Sequence, residues 1–407
     1  MPAPRQEAAW PLLSATIALI LIGLAAIYSA TFRAETARIA GLAGQQGVWA
    51  VLAVIGLVAA AWIPQRIWAA LAYPLFGVSL LALLIVLGFG ARGMGAERWL
   101  VLGPLRIQPS EMAKLATVLA LARYLSDRRA NLSELSDVVK AGGFALAPLF
   151  LVIQQPDLGT ALVFSAVFVG MAFWAGVPNI FLLAALMPIV NVVCALTGLV
   201  AWAMFVMVLA IVLAVVRPPL ISTVAAIVTN VAVGIATPAL WGGLATYQRQ
   251  RILTLFDPES DPLGAGYQII QSKVAVGSGD LLGRGWLEGS QTQLAYLPER
   301  HTDFVFSVIG EEFGFVGTTF VLGLLFVVLW RGVVIARMVN SSFSSFVCIG
   351  VVTWLAFHTV VNVGMTVGLM PVVGLPLPLV SYGGSALVAN CVAIGIVAGA
   401  RLRRLDY

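Results

Sequence analysis

The chain has 407 residues, of which 60% are hydrophobic and only 10% are charged. A soluble globular protein carries about 25% charged residues, so this composition excludes a soluble enzyme and indicates a chain embedded in lipid almost throughout. The net charge of +5 fits loops that face anionic head groups, and no basic cluster interleaved with aromatic residues indicates a nucleic-acid partner. We therefore expect one membrane domain over residues 1–407.

Apolar runs of about twenty residues predict the spanning helices. In chain order they lie at 11–31, 47–63, 68–90, 109–125, 141–155, 160–176, 178–197, 199–216, 219–245, 306–330, 345–368 and 377–400. The sequence therefore predicts an all-α polytopic membrane protein with about twelve transmembrane helices and both termini on one side. No small-residue cleavage signature follows the first run, so we interpret it as a retained span instead of a signal peptide.

Lysine and arginine residues in the short loops predict the orientation. One side holds twelve of them and the other holds five, so the first side, with both termini, is expected to be cytoplasmic. The outer face then carries four segments in which Gly or Pro interrupts helical periodicity, namely 91–111, 154–160, 246–305 and 370–385. Irregular backbone at membrane depth persists only where it lines a cavity or is buried in protein, so we expect one shared outward-facing cavity.

The longest connection is the 246–305 loop, which this topology makes extracytoplasmic. Its part 267–276 has the spacing of a helix lying on the membrane interface. Five glycines between positions 277 and 289 follow, and a glycine-rich backbone can point N–H groups at an anion. With Lys273, Arg284 and Arg300 nearby, a phosphate-bearing ligand and an ordinary flexible loop fit the pattern equally well.

The end of this loop, ERHTDF, places Asp303 directly before a predicted span that begins near Val305. In one interpretation Asp303 caps that helix, because Asp at an N-cap is common and stabilising. In the other it is a partly desolvated carboxylate at the membrane boundary, which suits a general base. From the residues by themselves the cap is the preferred interpretation, and a structural role is preferred for His301.

The predicted span 109–125 begins with PSEMAK. Glu111 and Lys114 lie three residues apart, which places them on one helical face. An ionisable residue one turn into the membrane is a functional candidate by default. Because Arg98 and Arg106 lie on the same outer side, we favour a functional role over a pair that merely neutralises itself.

Other polar residues carry weaker signals. Asp157 in QQPDLGT fits a helix cap and a cavity-facing acid equally well. Three acids alternate around prolines and could hold a hard cation such as Mg²⁺, although a solvated turn is the preferred interpretation: Asp257, Glu259 and Asp261. A helix–helix hydrogen bond accounts for His358 and Asn362, one turn apart in a predicted span.

Five long motifs follow one another along the chain: AERWLVLGPLRIQPSEMAK, QQPDLGTALV, YQRQRILTLFDPESDPLGAGYQIIQSK, QTQLAYLPERHTDF and GLMPVVGLPLPLVSYGGSA. With these motifs the sequence resembles the SEDS family (shape, elongation, division and sporulation) over most of its length. The wording PLPLVSYGGSA and PESDPLGAGY is similar to the RodA branch of that family more than to its division branch, FtsW.

The resemblance implies a peptidoglycan glycosyltransferase of the bacterial inner membrane. Such a protein polymerises lipid II, the undecaprenyl-pyrophosphate-linked disaccharide-pentapeptide, beside a class B penicillin-binding protein (a PBP2-like transpeptidase). It also implies that Asp303 is the catalytic carboxylate, which changes its interpretation from cap to general base. By the same motifs, Glu111, Lys114 and Asp157 are implied to be functionally important.

The expected substrate contacts follow from the resemblance together with the positions of the charges. The candidates are Lys114, Glu111, Arg98, Lys273, Asp157, Arg300 and Ser272. Of these, Lys114, Arg98 and Lys273 are expected to face the leaving pyrophosphate, where negative charge develops. No cofactor is certain from the motifs, and a divalent cation (Mg²⁺ or Mn²⁺) beside the pyrophosphate is left open.

The chain departs from the family in one respect. The family usually has ten spans, whereas this chain carries about forty extra residues, enough for two helices, within 178–245. Two extra spans leave the following loop on the same side of the membrane. The alternative function is a lipid II flippase, which would suit twelve spans with broken helices. Against it, the irregular segments gather on one face, whereas alternating access needs gates on both.

Overall fold

The computed structural model describes residues 9–33, 41–89, 91–93, 96–102, 105–127, 135–177, 179–217, 220–243, 249, 253–254 and 265–402. The acids at 257, 259 and 261, considered above as cation ligands, lie outside these residues.

Within the described residues the chain is almost entirely helical. The elements are α1 (Trp10–Thr31), α2 (Leu42–Trp62), α3 (Gln65–Phe89), β1 (Ala91–Gly93), β2 (Ala96–Leu102), β3 (Leu105–Ile107), α4 (Pro109–Ser126), α5 (Leu135–Gln154), α6 (Leu158–Trp174), α7 (Asn179–Thr197), α8 (Leu199–Val216), α9 (Leu220–Gly243), α10 (Ala265–Ser278), α11 (Ser290–Gln293), α12 (Val305–Met338), α13 (Ser342–Thr366) and α14 (Gly384–Leu402). Each predicted span coincides with one long helix, which confirms the all-α multi-pass class.

Nine of the described helices are long and apolar enough to cross a membrane. The helices α4, α6 and α7 are not among these nine: α6 has only 17 residues, and α4 carries Glu111, Lys114 and Arg123 along its length. The number of twelve spans therefore stays a prediction, because a short or polar helix can also lie within a bundle without crossing the membrane fully.

The main core joins α1, α2, α4, α6, α12, α13 and α14 in one apolar cluster. Helix α14 packs closely along α2, and two of its glycines lie against the α2 backbone. A Cβ on Gly395 would lie 2.3 Å from the Leu57 carbonyl oxygen, and one on Gly399 would lie 2.7 Å from that of Ala61. Small residues at these positions allow the two backbones to approach, as is usual between helices in lipid.

Helices α7, α8 and α9 pack mainly with one another. Their apolar cluster is separate from the main core and contains Phe205, Leu209, Leu213 and Ala226. Contacts between α6 and α7 connect it to the rest of the bundle. The proposed two-helix insertion falls within these three helices, and it stays a prediction.

A small sheet follows α3 and was not predicted. Strands β1, β2 and β3 form an antiparallel meander in which Arg92 pairs with Glu97 and Val101 with Arg106. The sequence had only indicated that 91–111 is not helical. The run Trp99–Leu100–Val101–Leu102 has the aromatic and branched side chains that favour a strand, but it is too short to be distinguished by periodicity from a loop.

The start of α14 and a break inside α12 differ from the prediction for physical reasons. Helix α14 begins at Gly384 and not at 377, because Pro378 and the positive φ of Leu379 (67°) keep the preceding residues out of a helix. Helix α12 is broken at Gly314, whose φ of 63° is non-helical. A Cβ there would lie 2.4 Å from the Gly283 nitrogen, so the glycine also lets the preceding loop approach.

Candidate active site

The segment 367–383, between α13 and α14, is the centre at which the sequence motifs meet. The Gly159 of QQPDLGT lies against it, since a Cβ on Gly159 would be 2.6 Å from the Val373 carbonyl oxygen. On another side the Tyr382 N–H donates to the His301 carbonyl oxygen at 2.9 Å. The structure thus brings the predicted motifs QQPDLGT and ERHTDF each into contact with GLMPVVGLPLPLVSYGGSA.

Lys114 lies on α4 and has no exposed surface. Its ammonium group is 2.9 Å from Glu111 Oε1 and 3.1 Å from His358 Nε2, and it lies 5.0 Å from the centre of the Trp354 ring. The predicted pair with Glu111 is present, and two further partners on α13 enclose the charge. A buried ammonium needs such partners because desolvation strongly disfavours an unpaired charge.

Asp303 lies just before α12 and beside the 367–383 segment. The N-cap of α12 is Phe304, which makes no side-chain capping bond, so Asp303 precedes the cap and does not occupy it. Its Oδ2 faces the backbone at Gly374, where a Cβ would lie 3.7 Å away, and its own carbonyl accepts from Asn362 Nδ2 at 2.9 Å. Phe304 and not Asp303 is thus the N-cap residue, and the Asp303 carboxylate lies beside the 367–383 segment.

Asp157 caps α6, which was one of its two interpretations. Its Oδ1 accepts from the Thr160 N–H at 3.2 Å, and its Oδ2 accepts from the Thr160 hydroxyl at 3.0 Å. The side chain is buried, next to the contact of Gly159 with the 367–383 segment. The cap interpretation is confirmed, and a substrate-binding role for Asp157 stays a prediction.

Ser272 and Lys273 lie side by side on α10 but differ in exposure. Ser272 is fully buried, and its hydroxyl is 2.7 Å from Ser307 Oγ and donates to the Thr366 carbonyl oxygen at 2.6 Å. Lys273 is exposed, and its side chain packs against Gly368, where a Cβ would lie 2.1 Å from Lys273 Cε. Ser272 therefore joins α10 to α12 and α13, whereas Lys273 is a cation that a ligand can reach.

Arg300 and His301 connect the loop to neighbouring elements. Arg300 is buried, with its Nε donating to the Ala30 carbonyl oxygen at 2.6 Å near the end of α1, and burial lowers its pKa. The ring of His301 packs edge-on against Tyr382. Burial also lowers the pKa of His301, with Glu299 acting in the opposite direction and Arg300 adding to the decrease. The described bond gives Arg300 a structural contact, and its substrate-binding role stays a prediction.

Backbone N–H groups of the glycine-rich stretch 277–289 donate to Glu311 and Glu312 of α12. The Leu287 N–H donates to Glu312 Oε1 at 3.3 Å, and the backbone N–H groups of Arg284 and Gly285 donate to the carbonyl oxygens of Glu311 and Glu312. Gly283 is required because a Cβ there would lie 2.1 Å from the Glu312 carbonyl oxygen. These three N–H groups therefore have acceptors within the protein, and a phosphate-binding role of the stretch stays a prediction.

The sequence analysis missed Glu311 and Glu312. Both are buried near the start of α12. Glu311 accepts from the N–H groups of Gln291 and Thr292 and from the Thr292 hydroxyl, and Glu312 accepts from the hydroxyl of Ser29. The sequence did contain a signal for these two residues. Two acids inside a predicted span are energetically costly in lipid, so they indicate a constrained site.

The remaining candidates, Arg98 and Arg106, lie in the small sheet. Arg98 lies in β2 and Arg106 in β3, and β2 contacts both α3 and α4. Of the predicted residues, Asp303 lies beside the 367–383 segment, Asp157 lies two residues from the Gly159 contact with it, and Lys114 is connected to it through His358. In the part of the chain that the structure describes, no group of three His, Cys, Asp or Glu residues lies close enough to hold a metal ion.

The comparisons with known proteins agree with this geometry. The profile of the FtsW/RodA/SpoVE family, described as "Cell cycle protein", matches residues 10–204 and 197–404. The peptidoglycan glycosyltransferase MrdB of Escherichia coli K12 is 37% identical over 97% of this chain and 95% of its own length. The peptidoglycan glycosyltransferase RodA of Treponema pallidum is 33% identical over 97% of both chains.

Solved structures show the same fold. A chain from a structure described as the structural coordination of polymerization and crosslinking by a peptidoglycan synthase complex is 32% identical, covers 98% of both chains and superposes with a TM-score of 0.71. The rod shape determining protein RodA of Thermus thermophilus is 28% identical over 97% of both chains, with a TM-score of 0.64.

Proposed function

Because the chain belongs to the FtsW/RodA/SpoVE family of cell cycle proteins, we propose that it is a peptidoglycan glycosyltransferase that polymerises lipid II during cell elongation. Relatives of that name match it over nearly their whole length. The observation that carries the proposal is the position of Asp303: its carboxylate lies beside Gly374, in the same contact network as the buried Lys114.

In the proposed reaction Asp303 is the general base. The 4-hydroxyl of an acceptor N-acetylglucosamine attacks the anomeric carbon of the donor sugar, and Asp303 takes the hydroxyl proton. The new O4–C1 bond forms as the bond between C1 and the pyrophosphate oxygen breaks, so the configuration inverts and a β-1,4 linkage results. A carboxylate before the start of a helix, facing a backbone without a side chain at Gly374, suits this role because a sugar hydroxyl can approach it.

Cationic side chains would stabilise the departing undecaprenyl pyrophosphate. Lys273 is exposed, so a diphosphate can contact it directly. Lys114 is enclosed by Glu111, His358 and Trp354, so it contributes a buried positive charge beside the site. No metal ion is assigned a step in the proposed reaction.

The location and the partner are part of the same proposal. We place the protein in the bacterial plasma membrane, with both termini in the cytoplasm and Asp303 on the periplasmic side, because the substrate would then be used where the wall is built. A class B penicillin-binding protein is the proposed partner, which is supported by the similarity to a chain of a complex named for polymerization and crosslinking.

The test is polymerisation of labelled lipid II by the purified protein with its cognate class B penicillin-binding protein. We expect the wild type to form glycan polymer and Asp303→Asn to form none, because the amide cannot accept the proton. The removal of a catalytic base typically reduces a rate by about 100-fold to 10,000-fold. Polymer length and yield on a gel are the measurement.

The matched control is Asp280→Asn, which removes an exposed carboxylate from the same loop. It should polymerise at the wild-type rate. Equal polymer from wild type and Asp303→Asn would refute the general base. If none of the three proteins polymerises lipid II while wild type moves it between the leaflets of vesicles, the protein is a flippase.

A further inference from the structure

Helix α13 presents two buried polar side chains to the candidate site. His358 and Asn362 are four residues apart, so they lie on one face of the helix, one turn from each other. A hydrogen bond between helices was the expected explanation for both. Their actual partners lie in three different elements, and these partners include Lys114 and Asp303.

Asn362 joins Asp303 to the 367–383 segment. Its Nδ2 donates to the Asp303 carbonyl oxygen at 2.9 Å and to the Leu375 carbonyl oxygen at 2.8 Å. A carboxamide nitrogen has two hydrogens, and both are used by these bonds. Two carbonyl acceptors can be satisfied only by the NH₂ end, so the chemistry also determines the orientation of the amide.

His358 makes the corresponding connection from Lys114. The Lys114 ammonium can only donate, so His358 Nε2, 3.1 Å away, accepts. The ring hydrogen is then on Nδ1, which faces the Pro376 carbonyl oxygen at 3.3 Å. The two partners select the neutral Nδ1–H tautomer, because a protonated ring would offer no acceptor to the ammonium.

The two side chains therefore hold consecutive carbonyl groups, those of Leu375 and Pro376. The residue before these, Gly374, is the one that faces Asp303 Oδ2. We infer that His358 and Asn362 are positioning residues, which determine the spacing between Lys114 and Asp303 by holding residues 374–376 between them. The inference rests on the proposed function, because it assigns a catalytic meaning to that spacing.

The test uses Asn362→Ala in the full-length protein with its cognate class B penicillin-binding protein, with initial rates measured over a range of lipid II concentrations. We expect kcat to fall about 100-fold, the loss that a displacement of about 1 Å can cause, with KM within about threefold of wild type. A residue that only stabilised substrate binding would change KM instead.

Thr359→Val is the matched control on the same helix. It also removes a buried hydrogen bond, from Thr359 Oγ1 to the Leu355 carbonyl oxygen at 2.8 Å, but this bond stays within α13. Its kcat should remain close to that of wild type. A kcat for Asn362→Ala equal to that of Thr359→Val, or a loss confined to KM, would overturn the inference for Asn362.

A second pair of variants tests the other residue and does not depend on the alanine variant folding. His358→Gln can still accept from Lys114 and donate to Pro376, whereas His358→Leu can do neither. We expect the glutamine variant to keep a clearly higher kcat, and equal rates would count against positioning by His358. Asp303→Asn, assayed in parallel, separates the two proposals. Full activity of Asp303→Asn would refute the general base. Loss of activity in Asp303→Asn together with a normal kcat in Asn362→Ala would refute only the positioning role.

Discussion

Lys114 shows at the residue scale why a charge can be kept inside this bundle. The ammonium meets a carboxylate, an imidazole nitrogen and an aromatic face, so its hydration shell is replaced by fixed partners. A simple neutralising pair with Glu111 would not need the two residues from α13. The additional partners connect the charge to the segment beside Asp303, which supports a role beyond neutralisation.

We predict that His301 makes the stability of the protein depend on pH. Burial lowers its pKa below the usual value of 6.5, so the unfolded chain binds a proton at a higher pH than the folded protein does. The stability that this difference contributes is present above about pH 6.5 and is lost as the pH falls towards the folded-state pKa. We expect the thermal midpoint of His301→Gln to fall less than that of wild type between about pH 7.5 and 5.5.

The comparison between the two proteins isolates His301, because every other titrating group is common to them. Thermal unfolding in one detergent at each pH gives the two curves. Parallel curves would show that His301 titrates alike in the folded and unfolded protein, and a steeper curve for the variant would reverse the sign of the predicted effect.

At the scale of elements, the kinked start of α12 organises the loop before it. Glu311 accepts hydrogen bonds from Gln291 and Thr292 at the beginning of α11, where free N–H groups and the helix dipole favour a negative charge. Glu312 does the same for Leu287 and connects to Ser29 of α1. The loop that ends in Asp303 is thus held by two carboxylates of the helix that follows it.

We predict that Glu311→Gln loosens this loop. One carboxylate oxygen becomes an NH₂ group that faces N–H donors, so hydrogen bonds to buried groups are lost at a cost of about 1–3 kcal/mol in the free energy of local opening. Hydrogen exchange followed by mass spectrometry should show faster exchange at Gln291 and Thr292. Glu288→Gln, which changes an exposed acid of the same loop, should exchange as wild type does. Unchanged protection in Glu311→Gln would contradict the role of the carboxylate.

At the scale of the whole molecule, the arrangement of the spans decides which side Asp303 faces. The prediction places the 246–305 loop in the periplasm and the connection between α12 and α13 in the cytoplasm. The loop carries the exposed Glu288, and the exposed Ser342 begins α13 directly after the connection, so both are suitable for labelling. In intact spheroplasts, a membrane-impermeant maleimide should therefore label Glu288→Cys, and it should label Ser342→Cys only after permeabilisation.

The native cysteines give a low background for this measurement, because Cys348 and Cys391 are buried and Cys194 is partly buried. The same labelling pattern is expected whether the 178–245 region contributes two extra spans or none. Labelling of Ser342→Cys in intact spheroplasts would place Asp303 in the cytoplasm and would refute the proposed use of lipid II in the outer leaflet.

The sequence by itself determined the class of the protein, the positions of its long helices and the motifs that identify its family. These follow from local properties, since about twenty apolar residues must form a helix in lipid whatever they pack against. It also predicted the pairing of Lys114 with Glu111, because residues three apart on a helix are neighbours in any fold.

Only the tertiary structure decided what those residues meet. The N-cap of α12 proved to be Phe304 and not Asp303, and the backbone N–H groups of Arg284, Gly285 and Leu287 in the glycine-rich stretch proved to donate to Glu311 and Glu312. The contacts of His358 and Asn362 join residues 244 and 59 positions apart in the chain. No periodicity encodes such contacts, because they depend on how rigid helices pack and on where an irregular segment, residues 367–383, finds partners for its carbonyl groups.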